Sequence, residues 1–286
     1  MKPYQPVIII GAPRSGTNIL RDVLTSIDGC ATWPCDEINY IWRHGNVRYP
    51  TDEFPQELAR PDVVRFIRKK FDIIATQKDA QFVIEKTCAN SLRVAFIEKV
   101  FPEAKFIFLV RDGIDVVHSA IKRWTAPLDI PYLLAKAKFV PISDLPYYFL
   151  RYLLNRLHKL ISKEKRLSFW GPVIKDMPML TQQHNLQEIC ALQWQRCVEL
   201  SGDAFDKMPS EKWLQIHYEN FVKNSEQELK RICDFLDISV DRQEITRAVS
   251  NVSDKMVGTG HRAISKHELE KLTNLIGRTL IRYGYR

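Results

Sequence analysis

Val7-Ile8-Ile9-Ile10-Gly11-Ala12-Pro13-Arg14-Ser15-Gly16-Thr17-Asn18 decides the fold of this 286-residue chain. Four consecutive apolar, β-branched residues read as a strand buried in a parallel sheet. A glycine-bounded loop follows, and a helical pattern then runs from about Thr17 to Ser26. That is the frame of a phosphate-binding loop. Gly11 and Gly16 let the backbone turn and approach an anion. The amides of Ser15 to Asn18 sit at a helix N-terminus, where the dipole favours negative charge.

Gly11 and Gly16 keep the G-x-x-x-x-G spacing of nucleotide triphosphatases, but Thr17-Asn18 replaces the Lys-Ser/Thr that should follow. The lysine that reaches β- and γ-phosphates is missing, and so is the magnesium-binding hydroxyl at the second place. A cation stands inside the loop instead, as Arg14. The loop reads as an anion cradle poorly suited to Mg-ATP.

A second anion signature lies downstream. Lys105-Phe106-Ile107-Phe108-Leu109-Val110 is another buried-strand run, ended by Arg111-Asp112-Gly113, and a helical pattern extends from about Ile114 to Trp124. Ser119 and Arg123 lie four residues apart and share a face of that helix. Arg111 falls at the carboxyl end of a strand, where open α/β sheets bind ligands. Arg111, Ser119 and Arg123 are predicted to converge on a second phosphate. The other reading pairs Arg111 with Asp112 or Asp115 in a surface ion pair.

This ordered pair of motifs resembles the sulfotransferases that use 3′-phosphoadenosine-5′-phosphosulfate (PAPS), nearest the tyrosylprotein and bacterial carbohydrate-type branches. The resemblance covers residues 5–40, 80–124 and 190–286. It implies that Pro13, Arg14, Ser15, Gly16, Thr17 and Asn18 cradle the 5′-phosphosulfate, and that Arg111 and Ser119 hold the 3′-phosphate.

The same resemblance suggests the groups that act on the sulfuryl centre. Tyrosylprotein sulfotransferases carry Glu-Glu-Thr-Arg where this chain has Asp36-Glu37-Ile38-Asn39. Their second glutamate is the base and falls on Glu37. Their arginine falls on Asn39, so a feature of peptide-tyrosine recognition is missing. His44 is the rival base, because other branches use histidine. Lys86 ends the run 82–85 and precedes Arg111 by 25 residues, as does a lysine near the sulfuryl group in the tyrosylprotein branch. Its implied role is to stabilise the bridging oxygen, with Arg14 assisting from the loop. Tyr218, in His217-Tyr218-Glu219, is implied beside the adenine or 3′-phosphate, and Glu219 orients the fold. The segment from Ser253 to Arg262 looks like the late loop that closes over the cofactor, with Lys255, Gly258, His261 and Arg262 near the phosphates.

Composition agrees with a soluble enzyme that handles anions. The chain is 45% hydrophobic and 27% charged, with net charge +8 and pI near 9.1. No zinc-finger spacing, basic heptad helix or aromatic RNA-binding signature occurs, so nucleic acid is not an expected partner. No run of 18 apolar residues suggests a membrane span. The short segment before the first strand is not a signal peptide, so a cytoplasmic, bacterial enzyme is expected. Cys30, Cys35, Cys88, Cys190, Cys197 and Cys233 contain no C-x-x-C pair and read as reduced thiols.

Strands are predicted at 6–10, 30–33, 82–85, 105–110 and 212–217. Helices are predicted at 16–26, 61–72, 89–100, 113–123, 186–201, 225–236 and 266–283. The alternation gives a P-loop-like α/β fold, a doubly wound parallel sheet flanked by helices, as a single domain over 1–286. Residues 125–185 break the pattern and read as a helical insert over the acceptor site; a packing layer or a membrane-surface contact through 147–166 are the other readings. The expected activity is in-line transfer from PAPS, without a metal, to a hydroxyl or amine of a small-molecule or carbohydrate acceptor. The competing functions are an ATP-dependent small-molecule kinase and a non-catalytic module for nucleotides or sulfated glycans.

Overall fold

A computed structural model describes residues 3–124, 139–150, 153–154 and 170–286. Among them, five strands form one parallel sheet: β1 (Gln5–Ile10), β2 (Cys30–Ala31), β3 (Phe82–Lys86), β4 (Lys105–Val110) and β5 (Trp213–His217), in the order β2-β3-β1-β4-β5. The chain leaves β1 for one side of the sheet and later crosses to the other. The carboxyl end of β1 is therefore flanked by the ends of β3 and β4, where a parallel sheet opens a crevice. Ile9 pairs with Lys86 and Ile10 with Phe108 in these two ladders.

Each apolar run serves two layers because strand side chains alternate. Val7, Ile9, Ile84, Ile107, Leu109 and Ile216 face a core that holds Leu20, Phe221 and Ile232. Ile8, Ile10, Val83, Phe106 and Phe108 face the opposite core, with Trp42, Phe71, Phe101 and Trp194. Burying each of these strand residues on folding contributes about 1.5–3 kcal/mol. That explains why strand runs with almost no polar interruption form the centre of the sheet.

The helices around this sheet are α1 (Thr17–Thr25), α2 (Asn39–Arg43), α3 (Pro61–Lys78), α4 (Val94–Val100), α5 (Gly113–Trp124), α6 (Met177–Gln183), α7 (Leu186–Phe205), α8 (Tyr218–Lys223), α9 (Ser225–Leu236), α10 (Arg242–Ala248), α11 (Thr259–Ala263) and α12 (Lys266–Arg282). The predicted helix 89–100 is two pieces, a 3₁₀ turn over Cys88–Leu92 followed by α4. It breaks at Arg93, which has φ −148° and a buried guanidinium bonded to Asn90 and Asn39. Strand β2 stops at Ala31, short of the predicted 33, and Pro34 three residues on lacks an amide for the ladder. Helix α3 continues six residues past its predicted end at 72 and stops at Asp79, whose φ is +47°. Capping boxes at Asn185/Glu188 and Ser265/Glu268 fix the starts of α7 and α12.

Of the predicted insert, 125–138, 151–152 and 155–169 lie outside the described residues. Its return turn at Trp170-Gly171-Pro172 is described. Gly171 has φ +73°, and the Gln193 side-chain amide donates to the Trp170 and Pro172 carbonyls, 2.8 Å each. No disulfide forms among the six cysteines. No helix among the described residues is long and apolar enough to cross a membrane.

Candidate active site

The loop after β1 is held where side chains have no room. A Cβ on Gly11 would stand 2.7 Å from the Leu109 carbonyl oxygen, and one on Gly16 would stand 2.4 Å from the Tyr218 ring. Gly16 also has φ +91°, which only glycine adopts at low cost. Arg14 sits at φ +69°, a conformation that a residue with a Cβ holds only when its surroundings impose it.

Those surroundings come from the β4 side. The Arg14 Nε donates to Ser119 Oγ at 2.9 Å. Arg111 Nη1 donates to the Arg14 carbonyl at 3.1 Å, and its Nη2 donates to the Met256 carbonyl at 2.7 Å. The Arg111 guanidinium lies over the Tyr218 ring, 4.3 Å from its centre. Thus the loop, Arg111, Ser119 and Tyr218 are one cluster. Burial, with Arg123 and Arg111 close by, pushes the Arg14 pKa below its ordinary value, the direction expected where cations crowd.

Two buried polar atoms in this cluster have no protein partner: Ser15 Oγ and Arg111 Nε. A buried donor left unpaired costs about 1–3 kcal/mol. Ser15 lies in the loop itself and Arg111 bonds that loop at the Arg14 carbonyl, so the donor set fits a phosphorylated ligand. The surface ion-pair reading of Arg111 does not describe this geometry. Arg111 is buried, and its contact with Asp115 is long, 3.4 Å. The same Asp115 carboxylate also accepts the amides of Gly258 and Gly260, each at 2.7 Å. A Cβ on Gly260 would stand 2.4 Å from the Ile114 carbonyl oxygen, so the late loop is docked on α5. Asp112 caps α5 through the Ile114 and Asp115 amides and meets His261 Nε2 at 3.2 Å. Arg262 is exposed and donates to Val257 of its own loop, and Arg123 is exposed on α5. Glu219 accepts the Asp112 amide and the Tyr285 hydroxyl, the orienting role expected of it.

The β3 side carries the second cluster. Lys86 Nζ lies 3.0 Å from Glu37 Oε1 and 3.3 Å from Asp36 Oδ1, with only 2% of its side chain exposed. The Cys88 amide donates to the same Glu37 oxygen at 3.3 Å. Burial works against the Lys86 charge, but Glu37 and Asp36 outweigh it and push its pKa up. Arg14, expected to assist Lys86, turns its guanidinium toward Ser119 instead, because the α5 hydroxyl offers it an acceptor. Asn39 accepts from Arg93 at 2.5 Å.

The two proposed bases part company. His44 Nδ1 lies 2.8 Å from Asp144 Oδ2, and its ring packs on Phe66 with centres 3.8 Å apart. It lines a groove of about 590 Å³ with residues 45–50 and Asp144, which neither Glu37, Lys86 nor the loop enters. Two contributors escaped sequence reasoning. Asp115 was visible only as a partner for Arg111, although an acid in the first turn of a helix is also placed to take backbone amides. The Met256 carbonyl carries no sequence signal at all.

Comparison with known proteins follows the same geometry. Residues 6–143 and 168–242 match the model of the sulfotransferase family. The chain belongs to that family. A Caenorhabditis briggsae protein described as a protein-tyrosine sulfotransferase is 22% identical over 252 residues, 84% of this chain and 68% of that protein. The sulfotransferase domain of the Synechococcus PCC 7002 olefin synthase superposes with TM-score 0.55 at 15% identity, over 96% of this chain and 95% of that one. A mouse sulfotransferase complexed with PAP superposes with TM-score 0.51 at 15% identity, over 96% and 84%. The α/β fold with its central parallel sheet is that of these sulfotransferases.

Proposed function

We propose that the chain, as one domain over 1–286, moves the sulfuryl group of PAPS to a hydroxyl or amine of a small-molecule or carbohydrate acceptor. The observation that carries this reading is the clustering of the cations Arg14 and Arg111 with the Ser119 hydroxyl, beside two buried, unpartnered donors. Pro13 to Asn18 would hold the 5′ end, and Arg111 and Ser119 the 3′-phosphate, with Tyr218, Gly258, His261 and Arg262 around them. When bound, PAPS supplies the sulfuryl group and a stable leaving group, adenosine 3′,5′-bisphosphate.

The chain's own residues do the rest. Glu37 takes the acceptor proton. Lys86, held against Glu37 and nearly buried, places a fixed positive charge where negative charge develops. The pairing with Glu37 and Asp36 favours the charged form of Lys86. Arginine and lysine meet the charge requirement of this chemistry, so no metal enters the scheme. The reading includes a cytoplasmic setting, which six cysteines without a disulfide favour. Asn39, bonded to Arg93, argues for an acceptor other than a peptide tyrosine.

Transfer of labelled sulfate from PAPS tests the proposal in wild type and in Arg14→Ala, Glu37→Ala and Arg111→Ala. Turnover in the wild type and its loss in all three is the expected result. Undiminished turnover in Arg111→Ala removes the 3′-phosphate assignment. Bisphosphate binding without turnover on any acceptor favours the non-catalytic module.

A further inference from the structure

Glu85 is the last but one residue of β3, 1% exposed, in the middle of the sheet. Glutamate is almost never fully buried without a partner of opposite charge. Here it makes no ion pair among the described residues. Its two oxygens accept from side chains just beyond the strand: Oε1 from the Thr87 hydroxyl at 2.5 Å, Oε2 from the Asn90 amide at 2.8 Å. The cations that face it are engaged elsewhere. Lys86 bonds Glu37 and Asp36, and Arg93 bonds Asn90 and Asn39 and lies 3.6 Å from Asp52.

Thr87 is the link outward. Its hydroxyl donates to Glu85, so its lone pairs remain for the backbone amide of Ile38, which donates to it at 3.1 Å. Ile38 follows Glu37, and Glu37 meets Lys86 and the Cys88 amide. The segment 86–88 therefore grips residues 37–38 at three points, and one of them depends on which way the Thr87 proton points. An ionised Glu85 fixes that direction, because a carboxylate only accepts. A protonated Glu85 puts a proton between two donors and must give up or reverse one of its hydrogen bonds.

We propose that Glu85 is a positioning residue of this site: acting through the Thr87 hydroxyl, its carboxylate holds the Glu37–Ile38 backbone in the register that joins Glu37 to Lys86. The inference rests on the roles of Glu37 and Lys86 given above. Burial pushes the Glu85 carboxyl up to about 7, partly offset by Thr87, Trp42, Lys86 and Arg93, so the support weakens as the pH falls through neutrality.

The test uses the intact protein and two readouts. In wild type the ¹⁵N-labelled Ile38 amide should titrate with a midpoint near 7, and the step should vanish in Glu85→Gln. In steady-state kinetics, wild-type kcat should fall on the acid side of about pH 7. Glu85→Gln should lower kcat at about pH 8 roughly tenfold and erase that limb, with the KM for PAPS within about twofold. Thr87→Val should repeat the loss, and Thr87→Ser, which keeps the hydroxyl, should recover most of it. A Glu85→Gln enzyme with the wild-type pH profile, or an Ile38 amide that ignores pH across neutrality, overturns the proposal. If wild type transfers no sulfuryl group at all, the functional reading falls, and the amide titration still decides the part of Glu85.

Discussion

The two flanks of β1 balance their charges differently. On the β4 flank, Arg14, Arg111 and Arg123 gather, while the nearby acids are engaged mainly by backbone: Asp112 caps α5, and Asp115 holds the Gly258 and Gly260 amides besides its 3.4 Å contact with Arg111. On the β3 flank each charge has its match, Lys86 with Glu37 and Asp36, and Arg21 with Asp36. Like charges near one another in a partly buried site repel, so the first arrangement is one a bound anion relieves. The second is neutral at rest. It suits groups that must hold a proton acceptor and a fixed cation in place. In the proposed reading, binding and chemistry thereby fall to different strands of one crevice.

This division can be broken first at Glu37. Glu37→Gln should lower kcat by about 10²–10⁴-fold and leave adenosine 3′,5′-bisphosphate affinity within about threefold. Labelled transfer and calorimetry measure the two separately. A collapse of nucleotide affinity would mean that the flanks are not independent.

Next is Arg111→Ala, which removes three hydrogen bonds and the stacking on Tyr218. A charged hydrogen bond is worth about 1.5–3 kcal/mol, so bisphosphate affinity should drop on the order of 10–100-fold. Adenosine 5′-monophosphate, without the 3′-phosphate, should lose much less. Equal losses for both nucleotides would move Arg111 away from the 3′ end.

A smaller effect concerns stability at Glu85. Its pKa is raised from 4.5 to about 7, so folding penalises the ionised form. That cost is absent below about 4.5, grows between the two values and is complete above about 7. Glutamine carries no such cost. Glu85→Gln should therefore melt a few degrees higher than wild type at about pH 8, from at most ~3 kcal/mol, with the gap closing toward about pH 5. A variant that melts lower at both pH values would assign Glu85 to structure alone. The least effect belongs to His44→Ala, whose kcat should stay within about twofold, since His44 occupies a separate groove with Asp144. A large kcat loss there would hand the role of base back to His44.

Much of the fold could be read from the chain because its signals are local. Val7 to Ile10 and Lys105 to Val110 are uninterrupted strand runs, and each is followed by residues that suit an anion-binding turn. Arg111 followed from its place at the end of a strand, and Ser119 from its helical spacing with Arg123. The lost parts are non-local. The break at Arg93 comes from side chains of Asn90 and Asn39, one of them 54 residues away. The turn of Arg14 toward Ser119 spans 105 residues. The docking of Gly258 and Gly260 on Asp115 spans 143 and 145. Glu85 was invisible as a positioning residue because a strand glutamate beside a lysine reads as a surface pair until burial is known.

Calorimetric titration of the intact chain, with adenosine 3′,5′-bisphosphate in one cell and ATP with magnesium in another, bears most directly on the central claim that this crevice is built for a nucleotide phosphorylated at both ends. The account predicts that the bisphosphate binds without magnesium and at least about tenfold tighter than Mg-ATP. Equal or tighter binding of Mg-ATP would contradict it.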